Sequence, residues 1–423
     1  MGAVYYSPVA CWPIDTTYFA EATDSLNLPF CKYLLESLNL AQFDRSTAIP
    51  GLNRDDYSAI EVRLPPLSEQ HRIVEEIETQ FSRLDAGVAA LKRVQAGLKR
   101  YRASVLQSAC EGRLVPTEAE LARAEGRDYE PADELLKRIL AERRTKWEAD
   151  QLAKMHAKGK SPKDNKWKSN YQEPAPPDAG DLPDLTEGWC WASVEQVCDR
   201  VVDCLHSTPK FHESGFPCVD TNCIIPGEIV RDKLRYVDEA TFAERNRRMT
   251  PTEGDVLFSR EGALLGIAVC VPSGLDFCLG QRMMIFRTSR LVNPRHYEMV
   301  LNSMVFRSQY RREITGTASP HLNIQDIRRF GIPVPPMAEQ ERIVAEVERR
   351  LSIIEELESA VRANLKRAER LRQAILKRAF EGKLVPQDPT DEPASALLTR
   401  IKAERKAEQQ SSMSKRKNGR QRK

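Results

Sequence analysis

Between His206 and Asn323 the chain sets arginine, lysine, glutamine, serine and threonine at turns. Such side chains on a rigid frame can hydrogen-bond to base edges in a DNA groove and pair with phosphates. His206-Ser207-Thr208 and Lys210 share one loop, and Arg231, Lys233 and Arg235 form a basic i, i+2, i+4 row. Arg245, Arg247 and Arg248 cluster in the next stretch. Arg260 precedes Gly262, and Gln281-Arg282 follows Gly280, so the backbone there can come close to another molecule. Ser319, His321 and Asn323 close the segment. Arg260 and Arg282 rank first as candidate contacts, and Arg260→Ala is expected to cost about 1–3 kcal/mol of specific binding without disturbing the fold. The plain alternative for each residue is a solvated surface charge.

Catalytic spacing is absent from the same stretch and from the rest of the chain. There is no GxxxxGK[ST] or GxGxxG phosphate loop, no HExxH, no GxSxG and no Asn-Pro-Pro-aromatic run. Cys198, Cys204, His206, His212, Cys218 and Cys223 are close in sequence, but their gaps are irregular, whereas structural zinc sites pair ligands two to four residues apart. Reduced, buried cysteines are the expectation, with no catalytic residue, metal or cofactor of the chain's own.

What must position the polar turns is a mixed α/β domain from about Leu185 to Pro333. Cys218–Asp220, Asp255–Ser259, Gly266–Val269 and Met284–Phe286 read as strands between Gly and Pro turns, and Pro294 begins a helical stretch reaching about Glu313. On either side stands a repeated unit. LPPLSEQHRIVEEIE from Leu64 matches VPPMAEQERIVAEVE from Val334, Pro336 lying 270 positions after Pro66. The register runs from Pro50-Gly51-Leu52-Asn53 against Pro320-His321-Leu322-Asn323 to the Glu-Gly-Arg/Lys-Leu-Val-Pro ends at 111–116 and 381–386. Matched Asn53 and Asn323 suit turns or caps.

Each repeat predicts a helix that begins after the Pro-Pro pair, with Ser68 as N-cap in the first copy, and stops at Gly112 or Gly382. Ile77, Leu84, Leu91, Leu98 and Val105 recur every seven residues, as do Val347, Ile354, Val361, Ala368 and Ile375. That is a coiled-coil seam. Val74, Phe81, Val88, Leu351, Leu365 and Leu371 flank it. A helix of this length would extend roughly 65 Å, enough to serve as a spacer. A shorter match, Glu130–Leu136 against Glu392–Leu398, begins a second helix in each copy.

The N-terminal residues look like the back half of the same α/β domain, with GAVYYSP from Gly2 matching GIAVCVP from Gly266 and Tyr33 falling on Tyr297. The expected boundaries are 1–66 for this partial domain, 67–157 for the first helical spacer and 158–183 for a polar, flexible linker. The complete domain follows at 184–335, the second spacer at 336–410 and a disordered basic tail at 411–423. The tail holds six Lys or Arg from Lys415 to Lys423, yet the whole chain carries only +3, so affinity for nucleic acid must come from local patches. No apolar run suits a membrane span, and a cytoplasmic protein is expected.

These elements together resemble the specificity subunit of type I restriction–modification enzymes. The carriers are Leu185-Thr186-Glu187-Gly188-Trp189-Cys190-Trp191, Gly254-Asp255-Val256-Leu257-Phe258 and the two PPxxEQxRIV helices with their EG[RK]LVP ends. The resemblance implies an α+β protein: mixed α/β target-recognition domains held apart by two long helices in an antiparallel coiled coil. It implies a non-catalytic subunit that reads half of a bipartite double-stranded DNA site and docks methyltransferase and restriction/translocase subunits. S-adenosylmethionine, ATP and magnesium would belong to those partners. The chain departs from the pattern in that the front half of the first recognition domain has no counterpart. A helical scaffold binding partners without a defined DNA sequence is the alternative, and self-dimerisation is a third possibility.

Overall fold

The computed structural model describes residues 3–7, 9, 11–12, 17–19, 25–38, 40, 59–162, 164–178, 180, 182–310 and 321–420, with the backbone alone for 408–420. The elements in chain order begin with helices α1 (Leu28–Ser37), α2 (Leu67–Cys110), α3 (Glu118–Glu125) and α4 (Ala132–Ala157). Next come β1 (Cys190–Ser193), α5 (Val194–Val197), β2 (Cys198–Asp203), β3 (Phe216–Val219), β4 (Ile224–Ile225), β5 (Glu228–Ile229) and β6 (Arg235–Val237). They are followed by α6 (Glu239–Asn246), β7 (Val256–Ser259), β8 (Ala268–Cys270), β9 (Cys278–Leu279), β10 (Met283–Thr288), α7 (Pro294–Asn302) and α8 (Met304–Tyr310). The last are α9 (Ile324–Arg329), β11 (Gly331–Val334), α10 (Met337–Phe380) and α11 (Ala394–Arg420). Two compact units emerge, one of residues 1–97 with 357–423 and one of 98–356. Among the described residues no helix is long and apolar enough to cross a membrane.

In the unit of residues 98–356 a four-stranded antiparallel sheet, ordered β2-β10-β7-β8, forms the frame. Side chains alternate across a strand, so Val256, Phe258, Met284 and Phe286 face one core with Tyr297 of α7 and Phe306 of α8. Leu257, Met283, Ile285 and Val269 face a second core with Val219, Ile224 and Phe277. Both faces are covered, which is why these strands read as continuous apolar runs rather than alternating ones. Each of the four runs expected to be strands contains one, although Asp220, Asp255, Gly266 and Ile267 lie just outside them. The helical stretch from Pro294 breaks at Ser303, whose extended backbone separates α7 from α8, and residues 311–313 lie outside the described ones. Strand β1 pairs antiparallel with β11, which leads directly into α10. Against α10 runs the end of α2, antiparallel to it: Val105 and Ala109 share a core with Ile343 and Val347, and Arg102 pairs with Glu355 at 3.5 Å.

In the other unit the start of α2 and the end of α10 are likewise antiparallel, burying Ile73, Ile77 and Phe81 with Ile375, Leu376 and Ala379. Helix α1 closes this core, its Phe30 meeting Phe380 edge-on at 5.3 Å and its Tyr33 meeting Phe81 at 5.7 Å. Seven of the predicted seam residues (Ile77, Leu98, Val105, Val347, Ile354, Val361 and Ile375) are buried, while Leu84, Leu91 and Ala368 are half-buried.

Five expectations change. Leu371 is 49% exposed; the inward place beside it goes to Arg372, whose guanidinium lies 4.0 Å over the Phe81 ring and pairs with Asp85. Ser68 lies inside α2 rather than capping it, because Gln70 N–H already donates to Pro66 O and the Ser68 hydroxyl donates instead to Asp391. Within the linker, Trp167 and Tyr171 pack on Trp147 of α4, so that stretch is anchored by aromatic burial that its polar composition hides. The tail continues α11 to Arg420, extending the good helix formers of residues 401–410 through a Ser-, Asn- and Gly-containing end, and of the tail only 421–423 lie outside the described residues. Residues 3–7, matched in sequence to the β8 region, carry no strand, since the described residues of their unit offer no strand to pair with.

Candidate nucleic-acid interface

Strand pairing gathers the polar turns. Ser259 faces Met283 and Asp203 faces Met284, so β2 and β7 end where β10 begins. Loops 204–210, 260–267 and 280–282 therefore leave the sheet side by side. Backbone bonds stitch them: Arg260 N–H donates to Arg282 O at 3.1 Å, Leu322 N–H donates to Arg260 O at 3.0 Å, and Glu261 bridges His321. The Thr208 hydroxyl donates to Gln281 Oε1 at 2.9 Å. Thr208, Lys210, Arg260, Gln281, Arg282 and His321 thus belong to one cluster; Ser319 and Asn53 lie outside the described residues.

Within the cluster the two leading arginines differ. Arg260 is 6% exposed. Its Nε donates to Asp203 Oδ1 at 3.0 Å, one terminal nitrogen donates to Leu322 O at 3.2 Å and the other to His206 Nδ1 at 3.1 Å. His206 Nε2 lies 3.0 Å from Asp203 Oδ2, which completes an Asp203–His206–Arg260 triangle. Since the Asp203 side chain is 9% exposed, Arg260→Ala would leave a buried carboxylate with His206 as its one remaining partner in the triangle, which argues against an undisturbed fold. Arg282 instead presents its side chain to solvent, with Nε 3.7 Å from Glu261. It is also the one non-glycine residue at positive φ among those described, at +68°. Such strain persists where the surroundings enforce it, and it concentrates at functional positions.

Two residues not ranked as contacts build the loop. Buried Arg245 donates to Leu279 O at 3.1 Å and to Ser207 O at 2.5 Å, clamping the His206–Thr208 turn to β9. Asp203 carries a weak sequence signal, its three-residue spacing to His206. The row Arg231, Lys233, Arg235 splits: Arg231 and Lys233 sit exposed on a 3-10 turn, whereas Arg235 of β6 pairs with Asp220 and stacks over Phe211 at 3.6 Å. Arg247 is exposed just beyond α6, and no hydrogen bond joins it to the cluster. Asn323 caps α9, its side chain accepting from Gln325 N–H at 3.1 Å.

The cysteines behave as small apolar groups. All ten are free thiols, and burial pushes Cys198 up to about 12. Among the described residues no group of three or more His, Cys, Asp or Glu is placed to hold a metal.

Residues 228–367 match the family model of the type I restriction modification DNA specificity domain. The EcoKI specificity subunit of Escherichia coli K12 is 24% identical over 395 residues, covering 89% of this chain and 71% of that protein. The Escherichia coli EcoDI specificity subunit is 26% identical over 394 residues, covering 86% and 73%. A solved chain from work on assembly and conformational transition of the type I R-M system superposes with a TM-score of 0.52 at 20% identity, covering 84% of this chain and 71% of that one, which speaks to the fold. With the repeated helix starts, the α/β frame and these similarities in place, the chain is similar over most of its length to the specificity subunits of type I restriction enzymes, and residues 228–367 match their DNA specificity domain.

Proposed function

We propose that the chain is the DNA-reading component of a type I restriction–modification complex, and that the loop cluster at the β2/β7/β10 ends reads one half of a bipartite duplex site. The carrying observation is Arg282, held solvent-exposed at a strained backbone position beside the Thr208–Gln281 pair. Arg282, Gln281, Thr208, Lys210 and His321 act as the contacts. Arg260 positions His206 and the backbone at Leu322 rather than reaching a base, and Arg231, Lys233 and Arg247 supply phosphate attraction. Methyl transfer with S-adenosylmethionine and ATP- and magnesium-driven steps belong to methyltransferase and restriction subunits docked on this one, which itself carries no chemistry.

The test is selection of the full chain against a randomised duplex library, read by sequencing. A single enriched motif is expected, and Arg282→Ala should flatten the preference at one base position by roughly 1–3 kcal/mol. Lys210→Ala should weaken all sequences alike and lessen the salt dependence. No enrichment at any salt concentration would leave the scaffold alternative standing.

A further inference from the structure

The two repeats start their long helices with the same hydrogen bonds. Gln340 accepts from Asn293 N–H at 2.7 Å and donates to Pro335 O at 2.9 Å. Gln70 accepts from Asn27 N–H and donates to Pro65 O, both at 3.0 Å. Asn27 and Asn293 each cap the helix that follows, so α1 is the counterpart of α7 at this cap, two positions away from the Tyr33–Tyr297 match seen in sequence. The residue before each glutamine is a buried glutamate, Glu69 or Glu339.

What surrounds the two glutamates differs. Glu339 accepts from Trp189 Nε1 and from Glu118 N–H, both at 2.8 Å. The segment that brings Trp189 is fastened at two more points: the Thr186 hydroxyl donates to Glu111 O at 3.1 Å, and Ala132 N–H donates to Gly188 O at 2.9 Å. Gly112 makes room for it, because a Cβ there would lie 2.6 Å from Thr186 Oγ1 and 3.2 Å from Trp189 Cζ2. At the other repeat, among the described residues, Gly382 has no atom within 4 Å of that position and Glu69 accepts no hydrogen bond. Among the described residues, a groove of about 270 Å³ lined by Phe30, Glu69, Ile73, Ala379, Gly382 and Ala394 lies where the other repeat has its Thr-Glu-Gly-Trp segment. Five of these six positions correspond to His296, Glu339, Ile343, Ala109 and Gly112 around Trp189, and the sixth, Ala394, corresponds to Ala132. The groove falls just below the roughly 300–1,000 Å³ of small-molecule pockets, a size for one aromatic side chain and its backbone.

We propose that this groove is a docking site for an extended Thr-Glu-Gly-Trp-type segment of a separate polypeptide, its indole N–H donated to Glu69 and its backbone laid against Gly382 and Ala394. A second copy of this chain is the poorer occupant, because its own segment is already engaged: Trp189 is 9% exposed and bonded to Glu339. Burial holds the Glu69 carboxyl above its ordinary range, as it does Glu339, and an indole donor would relieve that cost.

The probe is a fluorescein-labelled peptide with the sequence of residues 183–190, carrying serine for the cysteine, titrated into the full chain and followed by anisotropy. Saturable one-to-one binding is expected, weakened at least tenfold when the peptide tryptophan is replaced by alanine and likewise by Glu69→Leu in the protein. The peptide change cannot affect the protein's folding, so it decides the matter even if Glu69→Leu unfolds. Absence of saturation up to millimolar peptide, or binding indifferent to the tryptophan, overturns the proposal. So does concentration-dependent dimerisation in sedimentation that the peptide competes away, which would give the groove to a second copy.

Discussion

Glu69 and Glu339 occupy the same place in two copies of one motif, yet one is wrapped and the other is bare. Around Glu339 the chain spends a tryptophan, a backbone N–H and a glycine. Around Glu69 it relies on apolar packing and the charge of Arg72, which forms a bidentate bridge to Asp391 at 2.6 and 3.2 Å. A repeated sequence therefore fixes the helix start and its glutamine bonds, while a segment far away in the chain decides whether the buried carboxylate is satisfied.

The largest expected difference comes from Trp189→Ala, which removes the ring from the Val105–Ile343–Val347 core and the donor from Glu339. Hydrogen exchange of β11 should report a loss of about 3–5 kcal/mol, with amides of α1 unchanged. Equal loss in both units would break the comparison.

Acid should separate the units next. His296, beside Trp189, is lowered to about 4 by burial, while its counterpart at α1 is Phe30. A histidine with a depressed folded pKa leaves stability intact above its unfolded value near 6.5. As pH falls from there to about 4 the unfolded state takes up the proton first, so stability drops by about 3 kcal/mol. Denaturation of the 98–356 unit across that window should show the fall, and His296→Phe should flatten it. A parallel fall in the variant would assign the acid sensitivity elsewhere.

The smallest contrast is between the two cap glycines. Both sit near φ +70°, with Arg113 N–H reaching Ser108 O and Lys383 N–H reaching Arg378 O behind them. Gly382→Ala should cost about 1–2 kcal/mol from the backbone alone. Gly112→Ala should exceed it by about 1–3 kcal/mol, because the new methyl meets Thr186 and Trp189. Equal shifts in denaturant midpoint would deny that the segment packs there.

Most of the helical frame was legible in the sequence because heptad spacing and the Pro-Pro and Glu-Gly punctuation are local signals. Strands β3, β7, β8 and β10 were legible for the same reason, through their apolar runs, whereas the short β4, β5, β6 and β9 and the strands β1, β2 and β11 were not singled out. The site was only half legible. Glycine neighbours ranked Arg260 and Arg282 together, and nothing local distinguishes them. What separates them is Asp203, 57 residues before Arg260 and brought to it by the β2–β10–β7 pairing. Arg372 displaced Leu371 from its place flanking the seam for a similar reason, since its stem and planar head suit the Phe81 ring of the opposite helix. Trp189 marked the start of a domain, but its bond to Glu339 spans 150 residues and leaves no trace in either local pattern.

Arg282 also bears on how this chain can drift. At φ +68° a glycine would sit more comfortably than any cation, so backbone stability alone favours glycine at that position. On the proposed reading, use of the guanidinium at the duplex opposes the pull. The identity of the residue there, followed through descendants of this gene, is thus a gauge of whether duplex discrimination is still under selection.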